Sequence, residues 1–181
     1  EFKKLFEGIG NKKSFELLLK SGINIYIPFF KYVKNYNDFS MYTFCQIMYY
    51  LMFFNKIPIS ELKKLKLSNK EVSKVKEYDL IYSNFNLNTP IENILYQYSL
   101  EDVLFISRLF NFMEDRKILN TKLNIKSFND VNITSKEIIE LVNKTPGPWI
   151  KDIIKKIENN ILLGRLKNDN KEIIKFIKEL N

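Results

Sequence analysis

The chain has 181 residues, enough to bury one good core or a main core with a small satellite, and at 45% hydrophobic and 28% charged its composition excludes general disorder. It contains no histidine, which removes metal-dependent phosphohydrolase sites, serine triads and most zinc sites. Its net charge of +8 is almost all lysine, with arginine only at 108, 116 and 165, and points either to a polyanionic partner, most often nucleic acid, or to solvated lysines on helix faces.

Apolar residues recur at helical spacing almost throughout and no segment alternates as a strand would, so the expected fold is all-α: a multi-helix body with a small C-terminal helical tail module. Helices are expected near 1–7, 11–21, 28–34, 38–54, 60–66, 69–84, 90–98, 100–114, 134–143, 147–163 and 169–180. "EFKKLFEG" starts at Glu1 in full amphipathic register, with Phe2, Leu5 and Phe6, so the chain reads as the C-terminal part of something longer. The "GIG" at 8–10 follows no strand and is no nucleotide loop. Gly22, after "FELLLKS", reads as a helix stop.

The run "MYTFCQIMYYLMFF" (41–54) is about 14 residues long, too short to span a bilayer and interrupted by Gln46. It is expected to be the most buried helix, with Cys45 packed rather than reactive. A single cysteine permits no disulfide within the chain, which fits a reducing compartment, and no stretch reads as a secretory signal. A cytoplasmic location and no membrane partner are expected.

Helix starts are unusually legible. Ser68 with Glu71, Ser99 with Asp102 and Thr134 with Glu137 have the spacing of capping boxes, and Thr89 stands before Pro90. The segment 120–133, "NTKLNIKSFNDVNI", is the longest without a helical pattern and is taken as the boundary before the C-terminal module. In that module Trp149, Ile150, Ile153, Ile154, Ile157 and Ile161 form one apolar stripe, leaving Lys151, Lys155 and Lys156 on other faces. "NKTPGPW" (143–149) concentrates two prolines and a glycine in front of it, in a chain with five of each. Free N–H groups after Pro148, with Lys144 before and Lys151 one turn on, form a seat for phosphate; the same residues also describe a surface helix start and nothing more.

No catalytic constellation is visible. Metal-dependent phosphoryl transfer needs converging carboxylates, and the chain has no Asp-x-Asp pair. Glu101/Asp102 and Glu114/Asp115 sit at helix ends, where capping and solvation explain them, and "NIT" at 132–134 matches a glycosylation acceptor by chance. Neither catalytic nor metal-binding residues are expected.

Residues 133–177 resemble the tail of bacterial class II CCA-adding enzymes, the tRNA nucleotidyltransferases. The features in common are the Lys-x-x-Gly-Pro-Trp run at 144–149, Gly164, and Asn168 opening the last helix. Upstream, "EFKKLFEG" and "SFELLLKSGINIYIP" (14–28) are similar to the segment closing the family's neck, and "LKLSNKEV" (65–72) resembles a stretch of its body. Thr134-Ser135 stands where the family usually has Asn-Gly, and Leu141 where it often has Trp.

The resemblance implies three parts: the end of the neck (1–36), a helical body (37–126) and a tail module (127–181). It implies that body and tail grip the acceptor stem and T-arm of tRNA while a head, absent from this chain, adds CCA using Mg, ATP and CTP. This chain alone is then expected to bind no cofactor and to be inactive, with the missing head and neck as partners. The expected RNA-binding residues are Lys136, Lys144, Gly147, Trp149, Lys151, Lys155, Arg165 and Lys167. Two other readings stand beside it: the C-terminal region of a poly(A) polymerase of the same superfamily, and a helical scaffold that binds protein through a Phe/Tyr-rich surface.

Overall fold

Side-chain caps and left-handed residues cut this chain into short helices. The structure is a computed structural model describing residues 2–6, 11–39 and 41–180; the "GIG" at 8–10 lies outside the described residues. Among these residues there are ten α-helices and no strand: α1 (Asn11–Lys20), α2 (Phe44–Phe54), α3 (Ile59–Lys64), α4 (Asn69–Asn86), α5 (Ile91–Gln97), α6 (Leu100–Phe110), α7 (Asp115–Asn120), α8 (Ser135–Val142), α9 (Trp149–Leu162) and α10 (Asn170–Glu179). The all-α expectation holds. The chain packs as two units, Glu1–Ser83 and Asn84–Asn181, divided within α4.

The first unit is built on aromatic rings. Phe6, Phe15, Phe29, Phe30 and Phe39 are fully or almost fully buried. Phe6 stacks on Phe30 at 5.5 Å, and Phe15 meets Phe39 edge-on at 6.0 Å. α2 buries Phe44, Gln46, Ile47, Met48, Tyr49, Leu51 and Met52, as its apolar run requires, and Cys45 is half-buried. It begins at Phe44 rather than near 38, because Thr43 is extended and forms a capping box with Gln46. The helix expected at 28–34 is reduced to a single 3-10 turn, Phe30–Tyr32. Beyond it the backbone extends and the side-chain Oδ1 of Asn55 accepts the N–H groups of Lys34 and Asn35 at 2.6 and 2.7 Å. The residues at 2–6 also form a 3-10 turn. Gly22 is left-handed (φ 73°) and ends α1, as expected.

The second unit opens with α5 and α6. Ser99 caps α6 by accepting from the Asp102 N–H at 3.2 Å. α6 stops at Phe110, short of the expected 114, because Asn111 turns left-handed and the Ser107 hydroxyl donates to the Met113 carbonyl. α7 was not expected: "DRKILN" buries Ile118 alone and leaves Leu119 exposed, so it shows no apolar period. The segment 120–133 contributes Ile125, Val131 and Ile133 to one core with Ile138 of α8, Ile157 and Ile161 of α9, and Ile173 and Ile177 of α10. It is joined to α9 directly, since Asn124 Nδ2 donates to the Ile161 carbonyl at 3.0 Å.

Asp169, not Asn168, caps α10, accepting from Lys171 and Glu172 N–H. Asn168 instead fastens the loop before α8. Its side-chain Oδ1 accepts the Asn132 backbone N–H at 2.9 Å and its Nδ2 donates to the Asp130 carbonyl at 2.7 Å.

α9 is fixed at both ends. At its start the Trp149 indole folds back and donates to the Thr145 carbonyl at 2.8 Å. A Cβ on Gly147 would lie 3.3 Å from Trp149 Cδ1, so glycine is what allows the ring to lie there. Pro148, with φ −57°, supplies helical backbone without an N–H to satisfy. At the far end Gly164 is left-handed (φ 66°), and its N–H and that of Arg165 donate to the carbonyls of Ile161 and Asn160. That pair of bonds is a Schellman closure.

Two outcomes follow from these contacts. Gly147→Ala should displace the indole, the chain's single tryptophan, giving a red-shifted emission and a stability loss of about 1–2 kcal/mol. An unchanged spectrum and unfolding midpoint would count against the glycine's role. The second outcome concerns Glu137, whose carboxyl lies below the usual carboxylate range because the Thr134 hydroxyl and N–H donate to it. A folded pKa below the unfolded one stabilises above the unfolded value and loses that contribution as pH falls through the folded one. Acid titration below pH 4.5 should therefore weaken the fold, and Glu137→Gln should flatten part of that slope in urea unfolding at successive pH values.

Candidate nucleic-acid interface

The lysines predicted to meet phosphate all stand on the surface of the second unit, on or beside α8 and α9. Lys144 is exposed in the turn that Trp149 staples. Lys151 and Lys155 are exposed one turn apart on α9, so their ammonium groups share a face. Arg165 and Lys167 are exposed beyond the Schellman closure, a helix length of about 20 Å away. Lys136 occupies the first turn of α8, its ammonium 3.9 Å from the Glu140 carboxylate. At that distance and exposure the ion pair adds little and leaves the lysine available.

Gly147 and Trp149 are engaged within the protein. The indole is half-buried, packs against the isoleucine core and gives its N–H to Thr145. The open phosphate seat needs correction as well. The N–H groups of Ile150 and Lys151 donate to the carbonyls of Gly147 and Pro148 at 3.2 and 3.0 Å. A tight first turn of 3-10 type takes up donors that an open helix start would present. What remains at this end is the charge of Lys144 and Lys151 together with the helix dipole.

A second feature has no counterpart in the sequence reading. Between α5 and α9 lies an open cleft of about 570 Å³, lined by Asn93, Tyr96 and Gln97 of α5 and by Lys155, Lys156 and Leu162, among others, of α9. Asn93 Nδ2 donates to Asn159 Oδ1 at 2.6 Å, and the Tyr96 hydroxyl donates to the Glu158 carboxylate. Burial, and then that bond, push the Tyr96 phenol well above its usual pKa, so it stays protonated as a donor. Asn93 and Asn159 are 66 residues apart, a separation that no local pattern links.

Among the described residues no group of three or more cysteine, aspartate or glutamate side chains could hold a metal ion. Nor, among them, is any helix long and apolar enough to cross a membrane.

The family described as tRNA nucleotidyltransferase domain 2 matches residues 39–177. The CCA-adding enzyme of Staphylococcus haemolyticus is 25% identical over 202 residues, covering 99% of this chain and 50% of that protein. The CCA-adding enzyme of Bacillus cytotoxicus is also 25% identical, over 213 residues, covering 100% and 50%. The chain thus spans about half the length of these relatives. In structure it resembles the crystal structure of the Bacillus stearothermophilus CCA-adding enzyme in complex with CTP, with a TM-score of 0.76 and 21% identity, over 99% of this chain and 50% of that one. That likeness bears on the fold, and the family match covers most of the chain: it belongs to the tRNA nucleotidyltransferase domain 2 family.

Proposed function

We propose that this chain is the tRNA-gripping C-terminal region of a CCA-adding tRNA nucleotidyltransferase. Residues 1–36 close the neck, 37–126 form the body and 127–181 the tail. Together they hold the acceptor stem and T-arm while a head, supplied outside these residues, adds CCA with Mg, ATP and CTP. On this reading the chain alone binds RNA and transfers no nucleotide.

The observation that carries the reading is the placing of exposed cations at both ends of a rigid helix. Lys144, Lys151 and Lys155 lie at and near the start of α9, and Arg165 and Lys167 lie beyond its end. Double-stranded RNA hides its base edges in a deep groove, so a grip through shape and phosphates is the mode its geometry allows. Lysines suit that task as mobile point charges that demand no fixed fork geometry. The reading as a protein scaffold rests on apolar exposure in the first unit, where Tyr26 and Met41 are 82% and 90% exposed. Most of its phenylalanines are buried, which weakens the case for an aromatic docking face.

Binding of the chain to an acceptor–T-arm minihelix across a salt series separates these readings. Micromolar or tighter binding at low salt is expected. Log affinity should fall with log salt by roughly 0.7 to 0.9 per phosphate neutralised, and Lys144→Ala/Lys151→Ala should reduce that slope by about one to two units. A minihelix that fails to bind at low salt rules out the grip for this chain.

A further inference from the structure

α9 carries two acids among the cations assigned to phosphate, Asp152 and Glu158. Asp152, three residues before Lys155, is exposed in the first turn, where water screens it and the helix dipole favours an anion. Glu158 stands three residues after Lys155, a spacing that makes two helical side chains neighbours, and it is half-buried, where a charge is screened less. Both line the cleft between α5 and α9. A carboxylate left loose there would pair with the Lys155 ammonium and repel an approaching phosphate. Among the described residues Lys155 forms no ion pair. The Glu158 carboxylate accepts instead from the hydroxyl of Tyr96, 62 residues earlier in the chain. That hydroxyl has a fixed place, because the Tyr96 ring packs against the isoleucine core shared by α8, α9 and α10. The adjacent bond from Asn93 Nδ2 to Asn159 Oδ1, at 2.6 Å, holds α5 against the same turn of α9. A hydrogen bond to a charged acceptor is roughly twice as strong as a neutral one, whereas an ion pair to an exposed lysine is worth little, so the carboxylate stays with the phenol.

We propose that Tyr96 is a positioning residue for the RNA grip: its hydroxyl holds the Glu158 carboxylate away from Lys155 and so leaves that ammonium available to phosphate. The inference rests on the tRNA reading for its ligand and on the contact between α5 and α9 for its mechanism. A neutral phenol suits the task, since it engages the carboxylate without adding a charge of its own to the surface.

The test is a double-mutant cycle on the whole chain. Tyr96→Phe keeps the ring in the core and removes only the hydroxyl, and Glu158→Gln removes only the charge. Wild type, both single variants and the double variant are titrated with the acceptor–T-arm minihelix across the salt series. Tyr96→Phe should weaken binding several-fold and lower the salt slope by about one unit, the loss of one phosphate contact. Adding Glu158→Gln to it should restore both, which a loss of packing would not allow. Glu158→Gln alone should change binding much less than it does beside Tyr96→Phe. A second readout needs no RNA: in ¹⁵N-NMR of the lysine ammonium groups, Tyr96→Phe should shift the Lys155 signal, and the double variant should return it. Tyr96→Phe that binds like wild type, or weakened binding that Glu158→Gln does not restore, overturns this inference and leaves the tRNA reading standing. A Lys155 signal unmoved by Tyr96→Phe does the same. If the wild type itself fails to bind at low salt, the tRNA reading falls and this inference with it.

Discussion

The second unit depends on α9 being held at both ends while its stripe is buried. Ile157 and Ile161 are almost completely excluded from water, and burying such side chains is worth about 1.5–3 kcal/mol each. A cap or terminal turn contributes about 1 kcal/mol. The isoleucines therefore supply most of the stability, and the termini decide where the helix starts and stops. The Trp149 staple and the Gly164 closure set those limits, and with them the positions of Lys144, Arg165 and Lys167.

This division of labour explains why glycine and proline cluster where they do. The chain has few glycines, and elsewhere it ends helices with left-handed Lys56, Lys66, Asn88, Asn111 and Asn143. Asparagine tolerates that conformation better than most residues, and lysine bears a cost. Glycine at 147 answers a different need: no positive φ is involved there, only the close approach of the indole. The glycines at the two ends of α9 thus have unrelated physical causes, conformational at 164 and steric at 147.

Local signals were the legible part of this fold. The boxes at Ser68/Glu71 and Thr134/Glu137, the stop at Gly22 and the burial of α2 could all be read, because each is written within about one helical turn. Signals that depend on a distant partner were not. One signal within a single turn was passed over as well: α2 starts late because the Gln46 side chain accepts the Thr43 N–H, a box hidden among apolar neighbours. Asn168 looked like a helix opener, yet its partners are Asp130 and Asn132, more than thirty residues back. At the candidate interface the exposure of the lysines followed from helical period. The 3-10 bonds that close the expected anion seat depend on backbone detail that side-chain identities do not encode.

The same distinction separates the two surfaces of α9. Its outward lysines are a property of one helix, so they were visible in the sequence, and for the same reason they are the least specific part of the molecule: charge at helical spacing fits many polyanions. The cleft is the reverse case. It exists only because α5 lies against α9, bringing Asn93 to Asn159 and Tyr96 to Glu158. Lys155 and Lys156 belong to both surfaces, since they are exposed on α9 and also line the cleft.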